Sequence, residues 1–206
     1  MGWYDVFALT YDRQLEALYR PHRSALVETL APERGARVLD VCCGTGQSFD
    51  ALRAAVGDAG TIIGVDRSKG MLKRAQRRIA RNEWSNVSVV RCDARALADD
   101  PTVRDAAPFD AVVCALGLSA IAEHEAVFEQ AFGLLRSGGR FAILDVHAAL
   151  RTRQTRMVEL VARADLSREV WRALEAASEG FSHVVLEDAD PRTFGGELYV
   201  ACGHRP

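Results

Sequence analysis

The stretch VCCGTGQS, from Val41 to Ser48, sets two adjacent cysteines against a Gly-Thr-Gly loop. The thiols suit redox or metal chemistry. The glycines suit a tight strand-to-helix turn that a ligand can approach closely. Free N–H groups at the start of a following helix favour a carboxylate or phosphate at such a turn. Two acids stand at similar junctions downstream: Asp66 ends GVD, and Asp93 ends RCD just before Ala94. A carboxylate in the position of Asp66 can accept hydrogen bonds from both hydroxyls of a ribose. Asp93 can accept from an exocyclic amine such as that of adenine, while the Ala94 amide donates to a ring nitrogen. A dinucleotide fingerprint would need glycine where Phe49 stands, and no Gly-Lys-Ser/Thr of a Walker loop occurs. The pattern is that of a nucleotide loop with two supporting acids.

Short β-branched runs alternating with amphipathic stretches must position these residues. Strands are predicted at 37–42, 61–65, 86–92, 109–115 and 140–146. A helical stretch follows the first strand to about Val56. Met71, Leu72, Ala75 and Ile79 stripe a helix after the second, and Val127, Phe128, Ala131, Leu134 and Leu135 another after the fourth, closed by Ser137-Gly138-Gly139. Such alternation implies a parallel sheet with helices on both faces. A helix near 167–179 precedes two strands, 182–187 and 197–203, read as an antiparallel hairpin with no helix between them. Residues 13–30 read as helical, interrupted near Pro21. The whole chain, 1–206, reads as one domain: an N-terminal helical lid over 1–34 and a core over 35–206. Ligands of such sheets bind beyond the carboxyl ends of the strands.

These residues resemble those of the class I S-adenosylmethionine-dependent methyltransferases. VLDVCCGTGQS is similar to the first motif of that superfamily and IIGVDRSKGML to the second; RCDA resembles the adenine-contacting segment and LLRSGGRFAILDV the turn and fifth strand. Within it, WYDVFALTYD resembles the opening of the ubiquinone/menaquinone-biosynthesis methyltransferases and related phospholipid N-methyltransferases. The resemblance implies an α/β, Rossmann-like doubly wound fold: a mostly parallel seven-stranded sheet in the order 3-2-1-4-5-7-6 with the hairpin at one edge. The implied cofactor is S-adenosyl-L-methionine, leaving as S-adenosyl-L-homocysteine, with no metal.

Carried over, the resemblance sets Gly44 and Gly46 beside the methionine part, Tyr11 facing the methionine part or the methyl, and Asp66 on the ribose. Asp93 and Ala94 fall at the adenine, Ala115 and Leu116 near the sulfonium, and Cys42, Arg67 and Met71 also line the cofactor. Asp40, inside an apolar strand, is expected to orient the loop. Cys42 stands where the superfamily has its first glycine, so its backbone is expected to avoid strongly positive φ. His147, just past the fifth strand, and Tyr4, Tyr11 and Asp12 on the lid are the candidates for a catalytic base, with His147 and Tyr11 foremost. The acceptor is a small molecule or lipid-like compound: a quinol, phenol, amine or phospholipid headgroup. A non-catalytic cofactor-binding module on the same fold is the alternative.

Composition narrows the partners. With 26 basic and 28 acidic residues the formal charge is −2, which draws neither nucleic acid nor anionic membrane in general. The basic run from Arg67 to Arg81 falls largely opposite Met71, Ala75 and Ile79 and reads as a solvated helix face, not a nucleic-acid site. No run is long enough for a membrane span, which leaves peripheral contact open. Five cysteines without framework spacing fit free thiols in the cytoplasm. Cys42, Cys43, Cys92 and Cys114 are expected to pack rather than bind metal, in a monomer or homodimer.

Overall fold

A computed structural model describes the backbone of residues 3–206 and the side chains from Glu16 onward. The elements run α1 (Trp3–Leu30), β1 (Arg37–Val41), α2 (Phe49–Val56), β2 (Thr61–Asp66), α3 (Lys69–Arg81) and β3 (Val87–Arg91). A 3-10 segment (Ala94–Asp99) leads to α4 (Pro101–Ala106), β4 (Phe109–Ala115), α5 (His124–Gly133) and β5 (Leu135–His147). Then come α6 (Arg153–Ala162), α7 (Arg172–Ala177), β6 (Glu179–Val185), α8 (Pro191–Phe194) and β7 (Glu197–His204).

The seven strands form one sheet in the order β3-β2-β1-β4-β5-β7-β6. Pairing is parallel from β3 to β5 and antiparallel from β5 through β7 to β6. Successive side chains of a strand point to opposite faces, and here both faces are buried. Val38, Ile62, Ala111 and Ala142 pack with Leu26 and Leu30 of α1 and Leu52 of α2. Leu39, Ile63, Val112 and Ile143 pack on the other face with Leu97, Val103, Phe128 and Leu174. This two-sided burial is why the central strands read as continuous apolar runs.

Several expectations are corrected. The helix over the N-terminal segment runs through Pro21 without interruption. α5 ends at Gly133, so Ser137-Gly138-Gly139 does not close it and lies within β5. There Gly138 is left-handed (φ 69°), and the register with β4 passes from Phe109↔Leu135 to Ala111↔Arg140. The glycines serve a bulge at the base of β5. β6 starts at Glu179, α7 is confined to Arg172–Ala177, and a short helix, α8, interrupts the hairpin. α8 and α4 each begin with Asp-Pro. Asp190 caps the Arg192 amide and Asp100 those of Thr102 and Val103, with proline at the first helical position, a start signal visible in the sequence. α6 is capped by Thr152, but Met157, Leu160 and Val161 face outward, so no core-facing stripe marks it.

Candidate cofactor-binding site

The carboxyl ends of β1, β2, β3 and β4 open onto a cleft of about 210 Å³. Its floor is the loop after β1, where Cys42 (φ 57°), Gly44 (φ 56°) and Gly46 (φ 76°) are all left-handed. Cys42 was expected to avoid that region and does not. The chain must leave β1 sideways toward β2, where the Cys43 amide donates to the Val65 carbonyl at 2.9 Å. A left-handed residue makes that turn, at a cost of about 1–2 kcal/mol for a non-glycine residue. Gly117 clears the space for the Cys42 side chain: a Cβ at 117 would lie 2.7 Å from Cys42 Cβ and 3.0 Å from Cys114 Sγ.

Gly46 answers a different demand. A Cβ there would stand 2.4 Å from the Phe49 ring, and one at Gly64 would stand 2.7 Å from it. Phe49 fills the gap between α2 and the sheet, so the helix is spaced by a ring rather than drawn in by a third glycine.

Asp66 organises the loop. Its Oδ2 accepts from the Gly44 amide at 3.0 Å and its Oδ1 from the Ser68 amide at 2.8 Å. Burial raises its pKa, against the lowering effect of those amides. Each oxygen keeps a lone pair for a further donor. Ser68 also caps α3 by accepting from the Met71 amide at 3.2 Å, which sets Met71 against the cleft.

Asp93 is held differently. It takes the Arg95 amide and a forked Arg95 guanidinium, with Nε to Oδ1 at 3.0 Å and Nη2 to Oδ2 at 2.7 Å. The Arg95 hydrogen bonds lower its pKa to about 2. Arg95 also reaches Glu123 at 3.2 Å, bridging the loops that follow β3 and β4. Leu116 is left-handed (φ 60°), and its amide donates to the Leu144 carbonyl at 2.7 Å.

Cys42, Gly44, Asp66, Arg67, Met71, Asp93, Ala94, Ala115 and Leu116 all line the cleft. Asp40 and Gly46 stand behind its floor. Asp40 is buried, its Oδ2 has no hydrogen-bond partner among the described residues, and its pKa is raised to about 7 by burial, against the lowering effect of Arg23. The side chains of Tyr4, Tyr11 and Asp12 fall outside the described residues. His147 is not brought to the cleft: it packs edge-on against Trp171, 4.9 Å between centroids, within an aromatic group that includes Tyr199 and His183. Its place on β5 faces the α7 side of the sheet, which turns it away as a base.

Sequence reasoning missed three contributors. Arg23 of α1 lines the cleft and donates to Ser48 Oγ at 2.8 Å. Gln47 lines it with a buried Nε2 that has no partner among the described residues. Asp145, near the end of β5, accepts from the Ser119 hydroxyl at 2.7 Å and the Ser119 amide at 3.0 Å, which fixes the loop after β4. A lone aspartate inside RFAILDV was the available signal for this staple. Among the described residues no group of three or more His, Cys, Asp or Glu could hold a metal ion.

Comparison with known proteins places these features. The profile of the methyltransferase domain matches residues 32–188. The demethylmenaquinone methyltransferase of Shouchella clausii is 31% identical over 127 residues, covering 62% of this chain and 52% of that protein. The 2-phytyl-1,4-naphtoquinone methyltransferase of Synechococcus elongatus is 34% identical over 150 residues, covering 71% of this chain and 63% of that protein. The chain thus spans less than two thirds of the length of these relatives. Phosphoethanolamine N-methyltransferase 2 of Haemonchus contortus, solved with S-adenosyl-L-methionine, superposes with a TM-score of 0.71 at 15% identity, over 97% of this chain and 60% of that one. That likeness is one of fold. With strand order, cleft and matched profile in agreement, the chain belongs to the methyltransferase-domain family that its motifs resemble.

Proposed function

We propose that this chain is a methyltransferase that uses S-adenosyl-L-methionine to methylate a small-molecule or lipid-like acceptor. The observation that carries the reading is the meeting of the Asp66-ordered glycine loop, the Asp93–Ala94 corner and Ala115–Leu116 around one cleft. The residues present fit the cofactor. A Cβ on Gly44 would meet nothing within 4 Å, so the backbone is open to a ligand. The buried Gln47 Nε2, without a partner among the described residues, offers a donor to a carboxylate.

When bound, S-adenosyl-L-methionine supplies a methyl group already activated on a sulfonium and leaves as S-adenosyl-L-homocysteine. The chain's own residues bind and align. Asp66 accepts from the ribose hydroxyls, Asp93 and the Ala94 amide address the adenine, and the glycine loop with Gln47 takes the methionine part. Ala115 and Leu116 shape the wall beside the methyl group, so that an acceptor is held in line for displacement. Tyr11, on the N-terminal lid, is assigned to face the methionine part or the methyl. His147 is assigned no proton transfer; an acceptor that must lose a proton, such as a quinol or phenol, would draw on Tyr11, the other foremost candidate base. The quinone methyltransferases among the relatives make quinol-like rings the first acceptors to try. The free cysteines suit work in the cytoplasm.

Titration calorimetry tests the reading. S-adenosyl-L-homocysteine binds the folded protein, and Asp66→Ala weakens that binding by about 1.5–3 kcal/mol, the scale of a hydrogen bond to a charged group. Absence of binding by both cofactor and product overturns the proposal. Binding without turnover on quinols, phenols, amines and phospholipids favours a non-catalytic cofactor-binding module.

A further inference from the structure

The segment after β5 carries the two most exposed large apolar residues of the described surface, Leu150 and Leu160. Leu150 is 81% exposed, and along α6 Leu160 is 77%, Met157 53% and Val161 43% exposed. At 100° per residue, Met157, Leu160 and Val161 share one arc. The opposite arc holds Thr155 and Glu159, which tie the helix down. Thr155 is buried and completes a capping box with Thr152, and Glu159 accepts from the Leu166 amide and pairs with Arg151. Met157 and Leu160 are therefore left to solvent on the outward arc.

Its charge is one-sided. Arg153 and Arg156 stand on the exposed side of α6, with no ion-pair partner among the described residues, and Gln154 is the remaining polar residue there. No acid shares the arc, since Glu159 is turned inward at 14% side-chain exposure. An apolar stripe edged only by arginine suits the boundary of an anionic bilayer, where the stripe enters the headgroup region and the guanidinium groups meet phosphates. A second copy of this chain fits less well, because a two-fold contact centred on the arc would set these arginines against each other.

The location suits delivery to the cleft. His147 ends β5 at the carboxyl edge of the sheet, and the turn that follows α6 returns to the cleft wall. The Asp165 amide donates to the Ser119 carbonyl at 3.0 Å, and Arg168 donates to the carbonyls of Ser119 and Ile121 at 2.8 and 3.0 Å; Ile121 lines the cleft. We propose that Leu150 and the outer face of α6 dock the protein on an anionic lipid surface, beside the mouth of the cleft. Docking stands on this surface alone; that it serves a lipid-phase acceptor rests on the methyltransferase reading.

Vesicle flotation tests it. The full chain is expected to float with vesicles of equal parts phosphatidylcholine and phosphatidylglycerol, less with phosphatidylcholine alone, and less as salt is raised. Met157→Glu with Leu160→Glu abolishes flotation while calorimetric binding of S-adenosyl-L-homocysteine is unchanged. Each of Arg153→Gln and Arg156→Gln lowers binding to the mixed vesicles about fivefold, the share of one arginine near an anionic surface. Equal binding to both vesicles, or none, overturns the proposal. So does a concentration-dependent dimer in sedimentation equilibrium that Leu160→Glu dissociates. Because flotation needs neither cofactor nor turnover, its failure is distinct from a failure of the methyltransferase reading.

Discussion

Cys42 holds a backbone shape that glycine adopts freely, and its neighbours have been cleared to allow it. Gly117 is the clearance. Gly117→Ala brings a methyl group against Cys42 Cβ and Cys114 Sγ, both inside 3.1 Å of the added atom. Overpacking of this kind costs about 1–3 kcal/mol. Cys42→Gly in the same background recovers part of that loss, since it removes the nearer obstacle and relaxes the left-handed strain. A double-mutant cycle by urea unfolding reads the coupling directly; additive costs would mean that the two residues do not share the space. The substitution of cysteine for the superfamily's glycine was visible in the sequence. Its consequence was not, because which way the turn must bend depends on where β2 lies beside β1, and that is a tertiary fact.

At the scale of elements, the staple between β5 and the loop after β4 decides how firmly the cleft wall stands. Asp145 is buried, and it accepts from the Ser119 amide, the Ser119 hydroxyl and the Val146 amide. Asp145→Ala leaves three donors short of an acceptor. The expected loss is about 2–4 kcal/mol in unfolding free energy, from donors left unsatisfied in a buried place. Ser119→Ala removes one donor and costs about 1–2 kcal/mol. A chemical-denaturation series that ranks the two alike removes Asp145 from this role. The five parallel strands and their flanking helices were legible because each carries its own apolar period. The bulge in β5 and the outward-facing α6 were not. A glycine pair that ends a helix looks the same as one that bends a strand, and an apolar stripe that faces solvent reports no core.

For the molecule as a whole, the buried carboxylates set the dependence of stability on pH. Asp40 titrates at about 7 in the folded chain against 3.8 as its ordinary value. The native state therefore binds that proton more tightly than the unfolded state. Its stabilising contribution is complete below the ordinary value and is lost as pH rises through 7. Burial raises Asp66 and Asp145 in the same direction. Asp93, lowered to about 2, works oppositely and matters only in strong acid, where stability falls as it protonates. Unfolding free energy is thus expected to fall by about 1 kcal/mol per pH unit between roughly pH 4 and 7, from Asp40 alone. Asp40→Asn should flatten that slope, and a slope unchanged in this variant would show that Asp40 titrates elsewhere. That one acid of an apolar strand sits behind the loop was legible. The influence of Arg23 on its charge was not, since α1 reaches the sheet only through the fold.

The distribution of the cleft along the chain has a kinetic side. Among the described residues, apart from Arg23 in α1, its walls come from the stretch between Cys42 and Glu123, while β6 and β7 contribute no lining residue. A ligand held there raises the free energy of local opening for β1, β2 and β4 by its binding free energy. The hairpin edge gains only what passes through Ser119 and Asp145. Amide exchange in the bound protein then separates into a protected first half and a second half that still breathes at its own rate.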